Sequence, residues 1–308
     1  MRVVVCGELN VDLIVAGLPE LPPLGEERLA ESFAMTVGGS GANTAMSCAA
    51  LGMEVALVAR VGKDAFAQFL RQRIAEHGLC PDWLIVDEQT PTGACVALGV
   101  GGERCFASFL GTISRLRLDD VDWDSLRGFD HLHVASFYLQ KTLRPDVPEL
   151  FRQARERGMT TSLDLGYDPE EDWHREEFLR AVALCDIVLP NETEICRVLG
   201  EDDPIAAARK IARRGLRVVV KRGGRGSVAV TEGEVIEEPA FSVDVVETTG
   251  CGDAFNAGFL YKFLSGAPLR ECLRLGNAAG ALVATRLGGG ESLRGPEEVE
   301  RLAATRPG

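Results

Sequence analysis

The chain has 308 residues, 46% of them hydrophobic, and carries 33 Lys and Arg against 46 Asp and Glu, for a formal net charge of −13. That composition supplies a continuous core and excludes disorder as the default. The acidic balance argues against a nucleic-acid partner, because displacing counterions from a polyanion needs clustered Lys and Arg. A small phosphorylated ligand is still admissible, since backbone N–H groups and a magnesium ion can neutralise it locally. The nine cysteines show no C-x-x-C and no zinc spacing, which fits reduced, mostly buried thiols and a cytoplasmic location. No stretch reads as a membrane span.

The opening run, residues 2–6, is short and apolar and is broken by Glu8 and Asp12, so it reads as a buried first strand and not as a signal peptide. Residues 11–37 alternate like antiparallel strands. A glycine-rich turn before a helix follows at 37–46, then a strand at 55–61 and a helix at 64–77. Residues 92–110 alternate again around Gly99-Val-Gly-Gly-Glu-Arg104. Strands are expected at 131–135, 160–165, 187–190, 218–221 and 227–230, with helices at 146–157, 192–199, 204–214, 253–264 and 269–285. Apolar strands separated by amphipathic crossovers make an α/β fold, a doubly wound, mainly parallel sheet flanked by helices. With no repeat or linker, residues 1–308 read as one domain carrying a small β-lid built from 11–37 and 92–110.

The stretch richest in chemistry is Glu247-Thr-Thr-Gly-Cys-Gly-Asp253-Ala-Phe-Asn-Ala-Gly-Phe259. Gly250, Cys251 and Gly252 offer bare backbone N–H groups at the positive end of a helix, an anion site for charge on a transferred phosphate. Asp253 falls at the expected N-cap, where the plain alternative is capping alone. Three other stretches share the pattern of a turn at a strand or helix end: Cys6-Gly-Glu-Leu-Asn10-Val-Asp12, Gly38-Gly39-Ser40-Gly41-Ala42-Asn43, and Leu189-Pro190-Asn191-Glu192-Thr193-Glu194. Asp12 alone could be a turn acid, and Asn191 with Glu194 could be a capping box.

Together, and in this order, these segments resemble the ribokinase/PfkB carbohydrate kinase family, whose C-terminal signature usually reads D-T-T-G-A-G-D. The resemblance makes Asp253 the general base and Gly250, Cys251 and Gly252 the anion hole in phosphoryl transfer from ATP. It assigns Asn10, Asp12, Gly39, Ser40, Gly41 and Asn43 to the sugar. It assigns Asn191 to the phosphates and Glu194 to the water shell of magnesium. Lys221-Arg-Gly223-Gly-Arg-Gly226 matches the nucleotide loop, so Lys221, Gly223 and Gly226 join Asn277 in binding the cofactor ATP. Glu247 stands where many members have an Asp that organises a monovalent cation, which leaves K+ activation open. Cys251 replaces Ala and puts a thiol beside the phosphate site.

The expected activity is phosphorylation of a neutral pentose or hexose, because residues 162–168 lack an Arg that sugar-acid kinases of the family often carry. A nucleoside kinase and a non-catalytic sensor of sugar or nucleotide are the alternatives. Phe106 and Phe109 belong to the expected lid, facing either the substrate or a second copy in a homodimer.

Overall fold

The computed structural model describes residues 1–100 and 103–306; the centre of the Gly99–Arg104 turn lies outside the described residues. In chain order the elements begin with β1 (Arg2–Cys6), β2 (Asn10–Leu18), β3 (Ser32–Gly38), α1 (Ser40–Ala50), β4 (Glu54–Gly62), α2 (Ala65–Glu76), β5 (Leu84–Asp87), β6 (Ala94–Val100), β7 (Glu103–Phe109) and β8 (His131–Val134). Next come α3 (Val147–Glu156), β9 (Thr160–Leu163), α4 (Arg175–Val182), β10 (Ile187–Val188), α5 (Glu192–Leu199), α6 (Pro204–Ile211) and β11 (Arg217–Lys221). The chain continues with β12 (Ser227–Val230), β13 (Val235–Glu238), α7 (Cys251–Leu264), α8 (Leu269–Ala284) and α9 (Pro296–Ala303).

The main sheet runs β13-β12-β11-β10-β9-β8-β1-β4-β5. Every pairing from β11 through β5 is parallel, and β12 and β13 add an antiparallel edge. Period-2 alternation divides the core between two faces. On β1, Val4 and Cys6 pack with Val58, Leu132 and the α3–α5 side chains Phe151, Phe178 and Ile195. Val3 and Val5 face the other way, with Leu57, Met46, Ala257 and Leu275. Helices therefore cover both faces, as expected of a doubly wound sheet. The strand order reverses around β1, so the C-terminal ends of β1, β9, β10 and β11 open on one crevice.

A second sheet, ordered β3-β2-β6-β7, stands apart. The two hairpins are antiparallel, but the seam between β2 and β6 is parallel, which corrects the wholly antiparallel expectation. Each hairpin starts beside the main sheet, with Val11 N–H donating to Gly93 O, so their first strands run in the same direction. Phe106 and Phe109 both lie on β7 and are exposed. Being three residues apart, they point to opposite faces of the sheet.

Several elements also differ from expectation, among them β5 (Leu84–Asp87), β13 (Val235–Glu238) and α9 (Pro296–Ala303), which the sequence reading did not include, and β10, which ends at Val188 and not Pro190. Helix α6 stops at Ile211, where Ala212 turns extended and Arg213 donates to the carbonyls of Val182 and Ala183. Helix α4 was not among the expected elements; it follows a segment with positive φ at Glu171, Trp173 and His174. Helix α7 begins at Cys251, not Asp253. Gly250 is its N-cap at φ 76°, so Asp253 is a first-turn residue and not the cap. A left-handed glycine lets the chain reverse and start the helix earlier than an Asp cap would.

Candidate active site

Two hollows meet at the segment preceding α7. A cavity of about 520 Å³ is lined by Lys221, Gly223, Gly226, Thr248, Cys251, Gly252, Asn277 and neighbours. A smaller cleft of about 40 Å³ lies under the second sheet, lined by Asp12, Thr36, Asn43, Cys95, Phe106, Glu247 and Thr249 among others. The chain from Glu247 to Gly252 contributes to both walls, so the turn before α7 divides them.

On the cleft side, the glycine turn is fixed by close backbone approach. Gly39 has φ 99°, and a Cβ there would come within 2.8 Å of Glu8 O. A Cβ on Gly38 would meet Asp12 Oδ1 at 2.1 Å. Glu8 is buried; its Oε1 accepts from Ser40 N at 2.7 Å and from Ser136 Oγ at 2.6 Å. Ser136 takes φ 48°, an uncommon conformation for a residue with a Cβ. Asn10 Nδ2 donates to Asp12 Oδ1 at 2.8 Å. Burial, with the charges of Glu247 and Glu8, pushes the Asp12 carboxyl up to about 6 against that hydrogen bond. Asn43 Oδ1 accepts from Gly290 N at 3.0 Å, tying the turn to the chain beyond α8. Glu247 Oε2 lies 3.4 Å from Gly288 N, which donates to it.

Asp253 lies on the first turn of α7, directly after the segment that lines both hollows. Ser40 Oγ donates to its Oδ1. Burial and the negative charge of Asp164 push its carboxyl up to about 7, while Ser40 and Lys221 pull the other way. A carboxylate poised near neutrality is matched to proton abstraction from a hydroxyl. Cys251 behaves differently: burial, then the charges of Asp253 and Glu247, push its thiol up to about 11, so it stays protonated at neutral pH.

Beneath the turn lies a polar knot absent from the sequence reading. Lys221, ending β11, donates to Asp164 Oδ2 at 2.7 Å and to Asn256 Oδ1 at 3.3 Å. Asn256 Nδ2 in turn donates to Asp164 Oδ2. The Asp164 carboxyl is held below its usual range: burial works to raise it, but the Lys221 ion pair and the Asn256 hydrogen bond outweigh burial. At the start of α5, Asn191 and Glu194 form a reciprocal capping box, with Asn191 N–Glu194 Oε2 at 2.8 Å and Glu194 N–Asn191 Oδ1 at 2.9 Å. Burial and the Asp164 charge push Glu194 up to about 7.

On the nucleotide-sized side, Gly226 has φ 86°, and a Cβ there would strike Glu238 O at 2.1 Å. Asn277 Nδ2 donates to the carbonyls of Glu238 and Pro239, both at 3.1 Å, and so holds the loop after β13 against α8. Gly223 has φ 56° and is exposed.

The structure thus brings Asp253, Gly250, Cys251, Gly252, Ser40, Lys221 and the glycine turn to one place. Gly223, Gly226 and Asn277 line the larger cavity, Asn191 lies outside its lining and bridges to Lys221, and Asp12, Asn43 and Glu247 line the cleft. Glu8, Asp164, Asn256 and Ser136 were missed. An acid at the C-terminal end of an apolar strand in a doubly wound sheet is the signal that marks Asp164. Among the described residues no group of three His, Cys, Asp or Glu could hold a metal by itself. His131 and His133 are buried within the sheet, bonded to Thr160 and Ser162.

Residues 1–295 match the pfkB family carbohydrate kinase domain. An uncharacterized sugar kinase of Archaeoglobus fulgidus is 33% identical over 250 residues, covering 80% of this chain and 98% of the relative. An ATP-dependent ribose-1-phosphate kinase of Halopiger xanaduensis is 29% identical, covering 94% and 93%. The structure of Arabidopsis thaliana ribokinase complexed with ribose and ATP superposes with a TM-score of 0.85 at 26% identity, covering 99% of both chains. With its domain matched almost end to end, the chain belongs to the pfkB family of carbohydrate kinases and is a phosphotransferase acting on a sugar hydroxyl.

Proposed function

We propose that the protein transfers the γ-phosphoryl group of ATP to a hydroxyl of a neutral pentose or hexose, with Asp253 as general base. The observation that carries this reading is the placement of Asp253, hydrogen-bonded to Ser40 of the glycine turn and with its carboxyl raised to about 7, directly after the turn that divides a nucleotide-sized cavity from a smaller cleft. In the reaction the acceptor hydroxyl takes the place of Ser40 Oγ at Asp253 and gives up its proton to the carboxylate. The new O–P bond then forms as the bond to the ADP oxygen breaks. Backbone N–H groups of Gly250, Cys251 and Gly252 stabilise charge on the moving phosphoryl. Asn10, Asp12, Gly39, Gly41 and Asn43 hold the sugar hydroxyls, and Lys221, Gly223, Gly226 and Asn277 hold the nucleotide.

The residues fit a magnesium ion carried by the phosphates better than an all-protein site, because among the described residues no group of three His, Cys, Asp or Glu could hold it. When bound, magnesium would neutralise phosphate charge; Glu194 and Asn191 would orient its water shell. K+ activation through Glu247 belongs to the same proposal and is read by adding K+ to the assay.

Neutral acceptors are favoured because, among the described residues, the cleft is lined by Asp12 and Glu247 and by no Lys or Arg. A nucleoside acceptor is the second reading, favoured by Phe106, which is 63% exposed and lines the cleft where a base could stack. Coupled ADP release against neutral sugars, ribose 1-phosphate, sugar acids and nucleosides decides. Turnover confined to neutral sugars is expected, and turnover only of phosphorylated or acidic sugars would overturn the neutral class. ATP binding with no turnover across the panel would point to a sensor.

The second sheet is proposed as the lid over this cleft on a single domain spanning residues 1–308, closing to exclude water. Its outer face exposes Phe33, Met35 and Phe109, apolar surface suited to a second copy. Light scattering is expected to give a dimer mass that Phe33→Asp halves; a monomeric wild type would refute this.

A further inference from the structure

We propose that Asp164, together with Asn256, is a positioning residue for phosphoryl transfer, pinning the Lys221 ammonium beneath the Gly250–Gly252 turn and thereby setting the charge that Asp253 feels. The proposal rests on the reading of Asp253 as base and goes beyond it.

Three elements converge on the ammonium: Asp164 from the end of β9, Asn256 from α7, and Lys221 itself from β11. A Cβ built on Gly252 would lie 3.5 Å from Lys221 Nζ, so the ammonium sits directly against the turn whose N–H groups face the transferred phosphate. Lys221 also lines the nucleotide-sized cavity, and its flexible stem could carry the charge into that space were it not tethered. Asn256 is three residues beyond Asp253 on α7, on the same side of the helix, so one helical turn carries both the base and the tether. Stability alone does not explain the arrangement. A buried ion pair gains little over apolar side chains of similar volume, whereas a fixed charge beside a reacting group acts on the transition state.

The groups facing Asp253 define the expected sign. From α1 comes the Ser40 hydroxyl, from the chain after β1 the Glu8 carboxylate, from β9 Asp164, from β11 Lys221, and from α7 itself the Cys251 thiol. Glu194 on α5 and His133 on β8 act on the pair one step further out, Glu194 through Lys221 and His133 through Asp164. Asp164 opposes ionisation of Asp253, and Lys221 favours it. Glu8 also opposes it and is untouched by the variants below.

Asp164→Asn keeps the shape of the knot and removes its negative charge. The acid limb of kcat/KM for the sugar is expected to move to lower pH by about half a unit to one unit. Lys221→Met, assayed at saturating magnesium-ATP, is expected to move it to higher pH. A merely structural role would lower kcat at every pH and leave the limb in place, and that result for Asp164→Asn overturns the proposal. Should Asp164→Asn fail to fold, judged by near-UV circular dichroism, Lys221→Met decides: an upward limb supports the proposal and an unmoved limb overturns it. Asp253→Asn, measured alongside, separates the two readings. Wild-type kcat in that variant sinks the base assignment and with it this inference. An inactive Asp253→Asn with an unmoved Asp164→Asn limb sinks the positioning role alone.

Discussion

Asp253→Asn is expected to lower kcat by a factor on the order of 10²–10⁴ while changing sugar affinity far less, because the amide keeps the shape and cannot accept the hydroxyl proton. In the wild type, kcat/KM is expected to fall as pH drops through about 7, the value at which burial and Asp164 hold the carboxyl. The same substitution tests the cost of the site. The folded-state value lies above the ordinary 3.8, so the folded protein binds the proton more tightly than the unfolded chain does. The destabilisation from holding this carboxylate charged is therefore fully present above pH 7 and fades as pH falls from 7 towards 4. At pH 8 the Asn variant is expected to have a higher Tm than wild type, a gap that closes towards pH 4. Loss of activity with a raised Tm cannot be ascribed to unfolding. Unchanged kcat would remove Asp253 from the chemistry, and an equal loss of sugar binding without loss of kcat would make it a binding residue.

What the sequence disclosed follows from which forces are local. Apolar runs such as Val3–Val5 and Val218–Val220 mark strands buried on both faces, and glycine turns before helices mark where backbone meets ligand, so the layered fold and the Gly250–Asp253 segment were readable. The β2–β6 seam was not. Its direction depends on where two hairpins leave the main sheet, a tertiary fact with no signature inside either segment. The start of α7 was misplaced because an N-cap rule that favours Asp ignores the left-handed turn that only Gly250 permits.

The polar knot was hidden for a related reason. Asp164, Lys221 and Asn256 are separated by 57 and 35 positions along the chain, and only the parallel packing of β9 and β11 under α7 makes them neighbours. Asn191 and Glu194 show the opposite case. The sequence offered a capping box and a phosphate-side role as rivals; the geometry contains the box and leaves Glu194 buried beside Asp164 and Lys221, and the phosphate-side role stays a proposal. The cap that orders the first turn of α5 also fixes the Glu194 carboxylate, through Asn191 N and Nδ2.

Gly250→Ala is the second substitution expected to be severe, and its cause is backbone and not side-chain chemistry. At φ 76° an alanine adopts a left-handed conformation, and its Cβ would lie 2.8 Å from Gly289 Cα and 3.1 Å from Gly290 N. None of these atoms is the end of a flexible side chain, so either the turn before α7 or the Gly289–Gly290 segment must move. The first choice misaims the N–H groups of Cys251 and Gly252. The second pulls Gly290 N away from Asn43 Oδ1, which it meets at 3.0 Å, and so disturbs the sugar-side turn. Strain of about 1–3 kcal/mol is expected, read as a lowered Tm. Misalignment at the phosphate is expected to cost on the order of 10²-fold in kcat/KM. Gly233→Ala is the control, since its backbone is not left-handed and nothing lies within 4 Å of the added Cβ; wild-type Tm and kcat/KM are expected there. A Gly250→Ala enzyme with wild-type Tm and kcat/KM would show that the close approach of Gly250 to Gly289 contributes neither to the fold nor to the anion hole.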